Sequence, residues 1–156
     1  MSEQPKIKVA PVRKSIEVRA PQARAFDVFT AGFGRWWPKT HHIAAVEMKD
    51  AVIEPRVGGR WYEVGEDGSQ CEWGRVLAWE PPAHLRLSWH LNGKFQYDND
   101  VESEVDIYFI AENANVTRVE LEHRIMAPDA EALRAGVDSS GGWSVLLESF
   151  AKEAAA

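Results

Sequence analysis

A chain of 156 residues with a formal net charge of −6 is long enough for one full hydrophobic core. It is too acidic, taken as a whole, to offer a nucleic acid or an anionic membrane the clustered Lys and Arg that both require. A single cysteine, Cys71, permits no internal disulfide; with no apolar leader and no run near the roughly 18 apolar residues of a membrane span, the expected compartment is the cytoplasm.

In chain order, residues 1–11 are polar with two prolines and read as a flexible N-terminal arm, leaving 12–156 as a single domain. VRKSIEV alternates, with Val12, Ile16 and Val18 on one face, and predicts a strand. Pro21 can open a helix, and QARAFDVFT sets Ala25, Phe26 and Phe29 on one side of it. FGRWWP adds a helical turn stopped by Pro38, and a short strand is expected from near Ala51. RWYEV, a turn at Glu66-Asp67-Gly68 and QCEWGRVLAWE make a hairpin. Its inward parity is open, because both faces of each strand carry large residues. HLRLSWHL sets Leu85, Leu87, Trp89 and Leu91 on one face, and a polar loop over 92–103 follows, with turn chemistry at Asn92-Gly93.

EVDIYFIAE then points Val105, Ile107 and Phe109 inward, and VTRVELEHRI places His123 on the same face as Thr117, Val119, Leu121 and Ile125. After Pro128, DAEALRAGV reads as a short helix capped by Asp129. The last stretch, from Ser139, carries Trp143, Leu146, Leu147, Phe150 and Ala154 at helical spacing in one apolar stripe. A helix of about 15 residues is marginal alone, so a curved antiparallel sheet is expected to wrap it.

Strand, two small helices, about six to seven antiparallel strands and a long C-terminal helix is the element order of an α+β helix-grip fold. The segments VRKSIEVRAP, AFDVF, RWW, GGRWYEVGEDG, GRVLAWEPPAHLRLSW, SEVDIYF, TRVELEH and GGW resemble the START-like (SRPBCC), polyketide-cyclase-related superfamily. Within it they are similar to the branch of Hsp90-ATPase-activator homologues, matching that activator's C-terminal domain. The resemblance implies an internal, mainly apolar cavity between sheet and C-terminal helix. The superfamily holds lipid and hormone carriers, aromatic polyketide cyclases and a chaperone cofactor, so no single reaction and no cofactor is implied.

Seven tryptophans suit such a cavity, since indole is a large apolar surface with one N–H that seeks a partner. The expected lining is Trp37, Trp61, Trp73, Trp89, Phe109, Leu121, Trp143, Leu147 and Phe150, around a small apolar or aromatic ligand oriented by Glu63 and His123. Arg75 is a further candidate for the polar end. An alternative reading is an enzyme of cyclase or hydrolase type using Glu63 or His123 as acid or base. Another is an interaction module, docking the outer sheet face or the 92–100 loop on a protein partner such as a chaperone, or on a second copy. His41 and His42, being adjacent, face different ways on any regular element. With no Cys or carboxylate at ligand spacing, no metal site is expected.

Overall fold

The computed structural model describes residues 5–156; residues 1–4 of the expected arm lie outside them. The elements are β1 (Ile7–Lys8), β2 (Val12–Val18), α1 (Gln22–Thr30), α2 (Phe33–Trp36), β3 (Met48–Ile53), β4 (Arg60–Gly65), β5 (Gln70–Glu80), β6 (His84–Ser88), β7 (Glu102–Asn113), β8 (Val116–Ala127), α3 (Ala130–Val137) and α4 (Trp143–Ala155). The strands form one antiparallel sheet in the order β1-β8-β7-β6-β5-β4-β3, and β2 also pairs with β8. Ile7 and Lys8, inside the stretch read as an arm, pair with Ala127 and Met126.

The alternation read from β8 holds along its length, with Thr117, Val119, Leu121, His123, Ile125 and Ala127 all buried. Against this inner face lies α4, whose stripe of Trp143, Leu146, Leu147, Phe150 and Ala154 is buried throughout. Phe29 of α1 sits with its ring edge-on to both Phe150 and Phe109, at 5.1 and 5.7 Å, joining helices and sheet in one aromatic core. Arg24 of α1 reaches the last turn of α4, donating from Nε to the Ala154 carbonyl at 2.7 Å and from a terminal nitrogen to that of Ala156 at 2.8 Å. A helix end leaves its last carbonyls without intrahelical donors, and a guanidinium is well matched to them.

The parity left open in the β4–β5 hairpin is decided by a bulge. Trp61 pairs with Gly74 but Tyr62 pairs with Glu72, so Trp73 is an extra residue in β5 and the alternation restarts after it. Trp61, Glu63, Trp73 and Val76 point inward, while Arg75 is turned out and pairs with Glu72 at 3.0 Å. Arg75 therefore does not join Glu63 and His123. Gly74 at the bulge lies so close to β6 that a Cβ there would stand 1.9 Å from the Ser88 carbonyl oxygen.

On the outer face, Asp106 of β7 is fully buried beneath its neighbours. It accepts from His84 at 2.6 Å and Arg86 at 2.9 Å, with Arg124 at 2.5 Å on its other oxygen. Burial alone would raise its carboxyl pKa, but these donors outweigh it and hold the group below the usual range.

Gly74→Ala is expected to destabilise the protein by roughly 3 kcal/mol, because the atom struck is backbone and cannot rotate away. Urea unfolding of the two proteins measures this, and a loss under about 0.5 kcal/mol would refute the close approach.

Candidate functional site

Pro38 stops α2, and residues 37–44 run on without regular structure, so their polar groups must find partners elsewhere. The Trp37 indole donates to the His41 carbonyl at 2.9 Å. His41 donates from Nε2 to the Gly141 carbonyl at 2.8 Å, which fixes Nδ1 as the acceptor for the Thr40 hydroxyl at 3.1 Å. His42 donates from Nδ1 to the Ala44 carbonyl at 2.8 Å. Glu63, itself 1% exposed, accepts the backbone N–H of Ile43 at 2.6 Å and of Ala44 at 3.3 Å, and the Trp73 indole N–H at 2.9 Å. The segment is thus gripped from the sheet by Glu63 and from the start of α4 through His41.

Between this segment, the sheet and the approach to α4 lies a pocket of about 420 Å³, within the range usual for small-molecule sites. Trp37, Trp73, Trp89 and Trp143 make its deep walls; His42, Phe95, Gly141 and Ser139 stand towards the mouth. Every one of the four indole N–H groups is already engaged inside the protein: Trp37 with His41, Trp73 with Glu63, Trp89 with the Leu91 carbonyl at 3.0 Å, and Trp143 with His123 Nδ1 at 3.0 Å. The tryptophans consequently offer the pocket ring faces and edges but no free donor.

The other residues expected to line a cavity, Trp61, Phe109, Leu121, Leu147 and Phe150, are buried in the surrounding core and do not border this pocket. Neither do Glu63 and His123. His123 is fully buried; because Nδ1 accepts from Trp143, Nε2 carries the hydrogen and donates to the Ser103 hydroxyl at 2.8 Å, leaving no ring nitrogen for a ligand. Burial, helped by repulsion from Arg124, pushes its pKa down to about 3. The pocket also holds residues that the sequence reading passed over as lining: His41, His42, Phe95, Val137 and Leu146. Leu146 lay on the recognised helix stripe. Val137 follows Ala130 and Leu133 at helical spacing on α3, whereas His41, His42 and Phe95 have no periodicity to betray them.

A curved antiparallel sheet closed over a C-terminal helix, with an aromatic pocket at one end of the gap, defines a helix-grip domain. The chain belongs to the family described as Activator of Hsp90 ATPase homolog 1-like protein, whose model matches residues 19–155. It is similar to the anthrahydroquino-gamma-pyrone synthase Txn09, solved in complex with SUM, at 34% identity over 93% of this chain and 97% of that one, with a TM-score of 0.62. It is also similar to the self-sacrificing resistance protein CalC from Micromonospora echinospora, at 33% identity over 92% and 93% of the two chains, with a TM-score of 0.68. An Hsp90 activator from Plasmodium falciparum shares the fold at 19% identity over 73% and 71% of the chains, with a TM-score of 0.52. No curated protein matches the chain. Among the described residues, no helix is long and apolar enough to cross a membrane.

With a folded pKa of about 3 against an ordinary value of 6.5, His123 binds a proton in the unfolded chain before it does so in the native one. Its effect on stability is absent above pH 6.5 and turns unfavourable as pH falls below that value, at up to about 1.4 kcal/mol per pH unit. The stability advantage of wild type over His123→Asn should therefore narrow steadily between pH 6.5 and 4.5 in denaturant titrations. A gap independent of pH would contradict the buried, neutral imidazole.

Proposed function

We propose that the protein binds a small, flat, mainly apolar or aromatic molecule in the pocket between residues 37–43, the sheet and the start of α4. The observation that carries this reading is the engagement of all four wall indoles: their N–H groups are spent, so what they present is aromatic surface suited to another ring. The relationship to Txn09, solved with a bound compound, supports a ligand-holding role. The differing descriptions of Txn09 and CalC argue against transferring either activity.

The binding reading is preferred to the enzymatic one on the state of the two candidate catalytic groups. Glu63 accepts three N–H groups and His123 has both ring nitrogens engaged, so each serves as an internal acceptor or bridge rather than as a group facing a substrate. The orienting role assigned to them from sequence passes better to His42. Its imidazole borders the pocket, and with Nδ1 donating to Ala44 the neutral ring has Nε2 left as an acceptor for a ligand hydroxyl.

Titration with 2-naphthol should quench tryptophan fluorescence saturably with one site per chain, and non-saturable quenching would refute the proposal. His42→Phe should weaken 2-naphthol about fivefold, the worth of one neutral hydrogen bond, and leave 2-methoxynaphthalene, which has no hydroxyl to donate, nearly unchanged. Equal losses for the two compounds would remove His42 from the orienting role.

A further inference from the structure

Two residues at the mouth of the pocket each break a local rule, and they lie against each other. Phe95 has φ of +57°, a left-handed conformation that bulky residues rarely adopt, and its side chain is 42% exposed. Gly136 lies inside α3, where glycine is a poor helix former. The two meet: a Cβ on Gly136 would stand 3.3 Å from Cζ of the Phe95 ring.

The loop leaves Phe95 no easy alternative. The Asn92 carboxamide oxygen accepts the N–H of Lys94 at 2.9 Å and of Gln96 at 3.2 Å, and the Phe95 N–H bonds the Asn92 carbonyl at 2.9 Å. The loop base is closed by Leu91 paired with Tyr97, and Gly93 is anchored to the Asp129 carboxylate of the α3 approach at 2.7 Å. Asp129 accordingly does not cap α3, as its position in the sequence suggested, but ties the loop to that helix. Small or polar residues such as Gly or Asn suit a left-handed position. A phenyl ring there packs on α3 at Gly136 and takes a place over the pocket, which it borders.

We infer that Phe95 is a specificity-determining residue of the pocket, a fixed aromatic wall that stacks on a planar ligand and so selects unsaturated rings over saturated ones of the same outline. This rests on the ligand-binding reading above and adds to it the chemical class that the mouth selects.

The test compares 2-naphthol with its saturated counterpart, decahydro-2-naphthol, by titration calorimetry on wild type, Phe95→Asn, Phe95→Tyr and Phe95→Leu. Wild type and Phe95→Tyr should favour the aromatic compound, and Phe95→Asn and Phe95→Leu should lose about fivefold of that preference. The thermal midpoint of Phe95→Asn should match or exceed that of wild type, since Asn tolerates the left-handed backbone. An unchanged preference in Phe95→Asn overturns the inference while the binding reading stands. A lower midpoint in Phe95→Asn, with Phe95→Leu restoring both midpoint and preference, also overturns it, because an apolar plug would then suffice. Failure of wild type to bind either compound overturns the binding reading and the Phe95 role with it.

Discussion

The constraint on which this interior depends is that burying an indole is costly unless its N–H finds an acceptor. Trp36 takes the Val28 carbonyl, Trp37 that of His41, Trp89 that of Leu91, Trp73 the Glu63 carboxylate and Trp143 the His123 imidazole. Two of these solutions are side chains that would be costly in an apolar core on their own. They are tolerable because each satisfies several groups at once: Glu63 also collects two backbone N–H groups from residues 43 and 44, and His123 also reaches Ser103. Among the described residues Trp61 is the exception, its N–H enclosed without a partner. In this light the buried acid and the buried base are consequences of the tryptophans, and the tryptophans in turn shape the pocket.

What could be read from sequence followed from regular periods. β8 and the stripe of α4 alternate or recur without interruption, so their inner residues, His123 included, were assigned correctly to a face. The β4–β5 hairpin was not resolvable, because a bulge at Trp73 resets the parity and nothing in QCEWGRV marks it except a glycine whose reason is the nearness of Ser88. Periodicity names a face but never a partner. His123 could be put inside and Glu63 given an inward place only as a candidate, and neither could be seen to be engaged; Asp129 looked like a helix cap when its carboxylate is bound to Gly93. The pocket wall at 37–43 and Phe95 in its loop belong to segments without a period, where position is set by individual hydrogen bonds between residues distant in sequence.

The two faces of the sheet solve opposite problems. The inner one gathers aromatic rings and spends its buried acid and imidazole, Glu63 and His123, on indoles. The outer one covers a buried carboxylate, Asp106, with two guanidinium groups and an imidazole, the imidazole stacked on Tyr108 at 4.6 Å. A buried charge held by several donors is weak evidence of net stability, but losing a donor leaves the buried carboxylate less compensated. This cluster spans β6, β7 and β8 and so fixes the register of the strands whose inner sides carry Leu85, Ile107 and His123.

The double grip on residues 37–44 bears on how the proposed ligand would come and go. A wall held by the sheet through Glu63 and by the α4 approach through His41 cannot swing aside without breaking hydrogen bonds at both ends. The proposed ligand would then enter past the residues around Phe95 and Gly141. With that wall held, a better or poorer fit of the proposed ligand would show in residence time more than in encounter rate.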